Sequence, residues 1–179
     1  MSKNILIIST SLRKNSNSEA LAEAFGKGAQ EAGHKVQKVS LRGKKISFCN
    51  GCFACLKTGS CAIQDDAIEI VQKMHDAEVV VFATPIYYYE MSGQMKTLLD
   101  RANSLYGSDY AFQDIYFLSA AAEKENNVDA RAVNGLGGWI ACFERAKLAG
   151  TVFAGGVNEA GDIEWHPSLK KAYEMGKNV

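Results

Sequence analysis

The chain has 179 residues, 47% of them apolar, and its 20 basic side chains balance its 20 acidic ones to a formal charge of zero. A length near ~150 residues already buries roughly 70% of the unfolded surface, so a single domain spanning 1–179 with a sizeable core is expected. Zero net charge leaves no overall basic field for nucleic acid or an anionic membrane surface, and argues against a small electron carrier that docks by one strongly signed surface, while leaving room for a local patch.

No segment approaches the ~18 apolar residues of a membrane span, and the first apolar run is too short for a signal-peptide core, which sets the expectation of a cytoplasmic protein. In a reducing compartment the five cysteines are thiols, catalytic groups or metal ligands rather than structural disulfides.

The first predicted strand, 4–9, carries the run Ile5-Leu6-Ile7-Ile8 and breaks into Ser9-Thr10-Ser11-Leu12-Arg13-Lys14-Asn15-Ser16-Asn17-Ser18 before a helical pattern over 18–33. Such short apolar runs read as buried parallel strands, and the Ser/Asn/Ser cluster supplies a helix N-cap. Unpaired N–H groups, hydroxyls and the positive end of a helix dipole at that junction favour a phosphate. The loop contains no glycine, so it matches neither the dinucleotide fingerprint nor the nucleoside-triphosphate loop. Side-chain donors at Ser11, Ser16, Asn17 and Ser18, with Arg13 nearby, suit one terminal phosphate monoester such as that of FMN. Taken alone, the same loop also reads as an ordinary polar turn with a capped helix.

A second strand is predicted at 36–41, followed by an abnormally long connection from about 42 to 64. Loops beyond roughly 12–15 residues in a compact domain are usually functional or disordered. This one holds Cys49, Cys52, Cys55 and Cys61 in a C-x2-C-x2-C-x5-C array. Structural zinc usually wants two ligand pairs a dozen or more residues apart, whereas successive short spacings suit a [4Fe–4S] cluster. A cluster-free loop of reduced thiols, turned at Gly51 and Gly59, stands beside those two readings.

A helix over 65–76 follows, with Asp65-Asp66 as its N-terminal acidic pair, and then a strand over 78–84. The next loop, Thr84-Pro85-Ile86-Tyr87-Tyr88-Tyr89, has a proline that fixes its own φ and holds Thr84 extended. The tyrosines offer apolar rings with polar tips, suited to walling an isoalloxazine; by itself the segment also reads as a tyrosine-rich surface loop. A helix over 93–104 leads to a strand over 114–120, whose end Leu118-Ser119-Ala120-Ala121-Ala122-Glu123 has small residues, Ala120 and Ala121 among them, that let a ring approach the backbone and equally suit close helix packing. Gly135-Leu136-Gly137-Gly138 is read as a loop or helix entry within a predicted helix 129–149, where Cys142 is expected to be a buried small hydrophobe. A strand over 151–157 and a helix over 167–177 complete five βα units. His34, His75 and His166 are scattered and read as surface residues.

Alternation of this kind gives an α/β fold, a three-layer sandwich around a five-stranded parallel sheet of flavodoxin-like order 2-1-3-4-5, with its crevice at the carboxyl ends of strands 1 and 3. Both candidate loops fall on that edge.

Taken together, Ser9–Ser18, Thr84–Tyr89 and the cysteine array resemble the NADPH-dependent FMN reductase superfamily, and within it the iron–sulfur flavoproteins and bacterial NAD(P)H-dependent flavin oxidoreductases. The Ser-x-Ser-Arg-like phosphate loop is matched by Ser9, Ser11, Arg13 and Ser16-Asn17-Ser18, with Leu12 where many relatives have proline. The Pro-x-Tyr flavin loop is matched by Pro85-Ile86-Tyr87-Tyr88. The Gly-x-x-Lys segment, often near a subunit contact, is matched by Gly93-Gln94-Met95-Lys96. The resemblance implies FMN, an NAD(P)H electron donor, a small-molecule acceptor such as a quinone, nitro compound or free flavin, and a homodimer or homotetramer. It leaves no side chain obliged to act as an acid or base, because the chemistry belongs to the flavin. The cysteine spacing resembles the cluster motif of the iron–sulfur flavoproteins, which implies as an alternative an electron-transfer protein carrying a [4Fe–4S] cluster.

Overall fold

A computed structural model describes residues 1–179. Strand β1 (Asn4–Ser9) lies between β2 (Lys35–Ser40) and β3 (Val79–Tyr87), and β5 (Asp114–Ala120) and β6 (Lys147–Ala154) extend the sheet on the far side of β3. All four pairings in this series are parallel. The expected doubly wound order is therefore present, with one addition: β4 (Glu90–Met91) folds back antiparallel on the end of β3, pairing Ile86 with Met91 and Tyr87 with Glu90.

The strands are apolar on both faces because helices cover both. Ile5, Ile7, Val79, Val81 and Leu118 pack under α1 (Asn17–Glu31) and α6 (Pro167–Lys177). Leu6, Ile8, Val80, Phe82 and Phe117 face the opposite layer of α3 (Ala67–Asp76), α4 (Gly93–Arg101) and α5 (Ala130–Ile140). Alternation along each strand sorts these residues to their sides. Helices α1 and α6 touch backbone to backbone: a Cβ at Gly28 would lie 2.0 Å from the Tyr173 carbonyl oxygen, and one at Gly176 would lie 2.0 Å from that of Phe25. No helix is long and apolar enough to cross a membrane.

The largest departure from the sequence reading is after β5. The predicted helix 129–149 stops at Ile140, and β6 begins at Lys147 rather than 151. Tertiary pairing overrides helix propensity here. The Lys147 amide donates to the Gln113 carbonyl at 2.8 Å, Phe143 packs against Tyr110 and Phe112, and Arg145 lies over the Tyr110 ring at 4.5 Å. Cys142 consequently sits beyond the helix and is exposed, not buried. Gly135, Gly137 and Gly138 lie inside α5 rather than in a loop. The helix predicted at 93–104 is α4 plus a 3-10 turn, Ala102–Leu105. The cysteine loop contains a single short helix, α2 (Ala54–Thr58).

Candidate functional site

Both candidate loops line one cleft of about 380 Å³ at the carboxyl ends of β1, β3 and β5. Its first wall is the loop between β1 and α1. Asn15 takes a left-handed turn (φ 53°), which delivers Ser16 to the N-cap position of α1 in an extended conformation. The Ser16 Oγ accepts a hydrogen bond from the Glu19 amide at 3.2 Å. The amides of Ser16, Asn17 and Ser18 donate to no acceptor in the protein, although these residues are only 5%, 6% and 1% exposed. Buried N–H groups are almost always paired, so three unpaired ones converging at a helix N-terminus form a receptor for an oxyanion. Ser11 and Ser18 add hydroxyls, the Ser18 Oγ standing 3.5 Å from that of Ser16. This donor set fits a phosphate monoester.

Two residues read from sequence as phosphate ligands have other partners. The Asn17 side-chain amide donates to the Glu159 carbonyl at 2.9 Å and accepts from the Ile163 amide at 3.3 Å. The Arg13 Nη1 donates to the Asn158 carbonyl at 2.6 Å. Together they clasp the segment after β6 onto the loop after β1, and Val157 and Asn158 join the cleft as a result. Sequence reasoning assigned no role to either residue. The signal was available, since the topology sends the end of the last strand to the same sheet edge as the first.

Three predicted residues fall outside the cleft. Ser9 is wholly buried at the end of β1, on the face toward α1, with its Oγ unpartnered. Leu12 turns away and lines a separate groove with Phe48, Gly93 and Lys96. Thr84 is buried below the floor, where its Oγ1 accepts from the Ser92 amide at 3.1 Å and donates to the Ser92 Oγ at 3.2 Å.

The second wall is a hairpin that the sequence hid. Strand β3 continues through Pro85, which pairs with Ala120; β1 has already ended opposite Ala83, so the missing proline N–H breaks no ladder bond on that side. The chain then turns at Tyr88 (φ 52°) and Tyr89 (φ 66°), both in the left-handed region that a tight hairpin demands and that Asn-Gly ordinarily fills. Tyr88 is 97% exposed, and the Arg131 guanidinium lies 5.9 Å from the Tyr89 ring centroid. Pro85, Ile86 and the three tyrosines line the cleft, while Ala120, Ala121, Ala122 and Glu123 form its floor and far rim. None of the three histidines lines the cleft; His75 is paired with Asp76 and Asp109 at 2.8 and 2.9 Å.

The four clustered cysteines line a second cavity of about 290 Å³ that shares no residue with the cleft. The loop is pinned at its base by Arg101, whose guanidinium makes a two-pronged ion pair with Asp65 at 2.7 and 2.9 Å and donates to the Ser47 and Ile63 carbonyls at 2.8 and 2.9 Å. Asp65 is therefore more than a helix-start charge. Burial raises its pKa, but hydrogen bonds from Arg101 and the Ser47 and Ala67 amides outweigh that and bring it down to about 2. Asn103 donates from Nδ2 to the Cys55 Sγ at 3.4 Å. No three His, Cys, Asp or Glu side chains gather closely enough to hold a metal ion. The four cysteines thus share one cavity, with an amide donor on the Cys55 sulfur.

The model of the NADPH-dependent FMN reductase family matches residues 3–157. Among curated proteins, an iron-sulfur flavoprotein of Archaeoglobus fulgidus is 40% identical over 108 residues, which is 60% of this chain and 55% of that protein. The iron-sulfur flavoprotein of Methanosarcina thermophila is 26% identical over 94% of this chain and 85% of its own length. The chain spans about half the length of the Archaeoglobus relatives it matches, 40%, 55% and 50% for three of them. Among solved structures, an NAD(P)H:quinone oxidoreductase from Methanothermobacter marburgensis superposes with a TM-score of 0.74 at 17% identity, covering 99% of this chain and 97% of that one. An azoreductase from Bacillus anthracis gives a TM-score of 0.74 at 18% identity over the full length of both chains. At such identities these likenesses establish the shared fold.

Proposed function

The chain belongs to the NADPH-dependent FMN reductase family, and from that premise we propose that it binds FMN in the cleft between the β1–α1 loop and the tyrosine hairpin and passes electrons from NADH or NADPH to a small acceptor. The observation that carries this reading is the set of three buried amides at Ser16, Asn17 and Ser18 that have no acceptor within the protein. They would hold the ligand phosphate, with the hydroxyls of Ser11, Ser16 and Ser18 filling the remaining oxygen positions. When bound, FMN supplies the hydride and electron chemistry. The chain would orient it: Pro85 and Ile86 would flank the ring, the small side chains of Ala120 and Ala121 would leave it room at the end of β5, and the exposed tyrosines would bound the side open to donor and acceptor. Quinones, nitro compounds and free flavins are acceptors flat enough to share that open face. The groove beside Leu12, Phe48, Gly93 and Lys96 would be covered in a homodimer or homotetramer, and a cytoplasmic setting is consistent with five unpaired thiols.

The purified protein is expected to be yellow, to release one FMN per chain on denaturation, and to bleach when NAD(P)H is added anaerobically, recovering its colour with a quinone. Failure of saturating FMN to bind would end this reading.

A second reading has its own observation. The four cysteines line one cavity, with the Asn103 amide on the Cys55 sulfur, and relatives bear the name iron-sulfur flavoprotein. In that case the loop holds a [4Fe–4S] cluster and the protein exchanges single electrons with a partner. Anaerobic reconstitution followed by iron and sulfide analysis separates the two: absence of iron removes the cluster and leaves the flavin reading intact.

A further inference from the structure

The two walls of the cleft meet in three buried hydroxyls. Thr10, the first residue after β1, Thr84 and Ser92 are each 0% exposed. The Thr84 Oγ1 donates to the Ser92 Oγ at 3.2 Å and also reaches the Pro85 carbonyl at 3.1 Å, and the Ser92 Oγ lies 3.0 Å from the Thr10 Oγ1. Backbone groups are tied into the same knot. The Ser92 amide donates to the Thr84 Oγ1 at 3.1 Å, the Met95 amide to the Ser92 Oγ at 3.3 Å, and the Thr10 amide to the Ala83 carbonyl at 2.9 Å. Thr84 and Ser92 stand at the two ends of the tyrosine hairpin. Its return arm is the two-residue strand β4, and it turns through two left-handed tyrosines. So short a ladder holds it weakly by itself, and the hydroxyl link at its base fixes its placement. On the other wall, Thr10 immediately precedes Ser11, which lines the cleft.

A buried hydroxyl left without a partner is costly, and hydroxyls that share one dry network depend on one another. Neither wall therefore shifts without disturbing the other. We propose that Thr10, Thr84 and Ser92 are positioning residues that couple the two ends of the cleft, so that a phosphate on the amides of residues 16–18 and a flavin ring against the hairpin each strengthen the binding of the other. This rests on the FMN reading given above and adds to it, since the phosphate becomes a lever on the ring as well as an anchor. A phosphate that orders the first wall removes, through the knot, freedom that the hairpin loses on meeting the ring, and the ring then binds with a smaller entropic penalty. By linkage the effect is equal in both directions. None of the three residues lines the cleft, so they act through its walls and not by touching the ligand.

The test uses the full-length protein stripped of flavin and divides FMN into two probes, riboflavin and inorganic phosphate, at constant ionic strength. In wild type, riboflavin affinity read by fluorescence quenching is expected to rise about tenfold when saturating phosphate is added. Calorimetry with phosphate is expected to give the same factor on adding riboflavin. Thr10→Val removes only the hydroxyl contact, because the bond to Ala83 is made by the backbone. It is expected to abolish the coupling, leaving phosphate to change riboflavin affinity by less than about twofold. Thr10→Ser is expected to restore it, a rescue that a packing role for the threonine methyl would not give. Should valine prevent folding, Thr10→Ala removes the same hydroxyl. FMN binding without coupling in wild type, or with coupling unchanged in the variant that lacks the hydroxyl, overturns the inference alone. Failure of FMN to bind overturns it together with the flavin reading.

Discussion

Ser16 and Ser18 differ in what their hydroxyls already do. Ser16 caps α1, so Ser16→Ala is expected to cost about 1 kcal/mol of stability as well as ligand affinity. Ser18 carries no cap, and Ser18→Ala is expected to weaken FMN by about 1.5–3 kcal/mol with little change in unfolding midpoint. Flavin fluorescence titration beside thermal melts tells the two apart. Asp65 gives a pH prediction. Its folded pKa of about 2 lies below the ordinary aspartate value of 3.8, so its contribution is fully present above pH ~4 and is lost as pH falls through the folded value. Denaturant unfolding should show Asp65→Asn abolishing about 2 kcal/mol of the acid dependence between pH ~5 and ~2. At this scale the residue types were legible in the sequence and their partners were not. Asn17 and Ser18 look alike as polar loop residues, yet the partners of Asn17, an acceptor at Glu159 and a donor at Ile163, stand where no local pattern reaches.

The hairpin that ends β3 holds two tyrosines in left-handed conformations, each costing of order 1 kcal/mol or more and concentrated where a ligand wall is needed. Replacing Tyr88-Tyr89 with Asn-Gly is expected to relieve about 1 kcal/mol and raise the melting midpoint by roughly 2–4 °C, while weakening FMN through loss of the rings. A melt that falls instead would argue that the tyrosines pack more than they strain. Elements were legible where periodicity was strong: β1, β5 and α6 have the bounds that their apolar patterns indicated. They were illegible where a distant contact decided the outcome. Nothing local in Ala141–Ala149 announces that Lys147 will be captured by Gln113, and a Tyr-Tyr turn lacks the glycine that marks a hairpin.

For the molecule as a whole, the sheet order followed from counting βα alternations, and the cleft from asking which loops that order brings to one edge; the cysteine loop stood out by its length and spacing alone. What sequence could not supply is the closeness of α1 to α6. Gly176→Ala would ordinarily stabilise a helix by about 1 kcal/mol, but here the added Cβ meets the Phe25 carbonyl; a net loss of about 2 kcal/mol is expected in denaturant titrations. Because the cleft and the cysteine cavity have no residue in common, serine at all four loop cysteines should leave FMN content unchanged, and flavin loss in that variant would show the sites to be coupled. The clasp that Asn17 and Arg13 make on residues 158–163 also bears on biogenesis. A polypeptide whose synthesis has not yet reached residues 158–163 lacks the contacts that close the Ser-rich loop. On the proposed reading, capture of FMN would wait until that turn has been made and has docked.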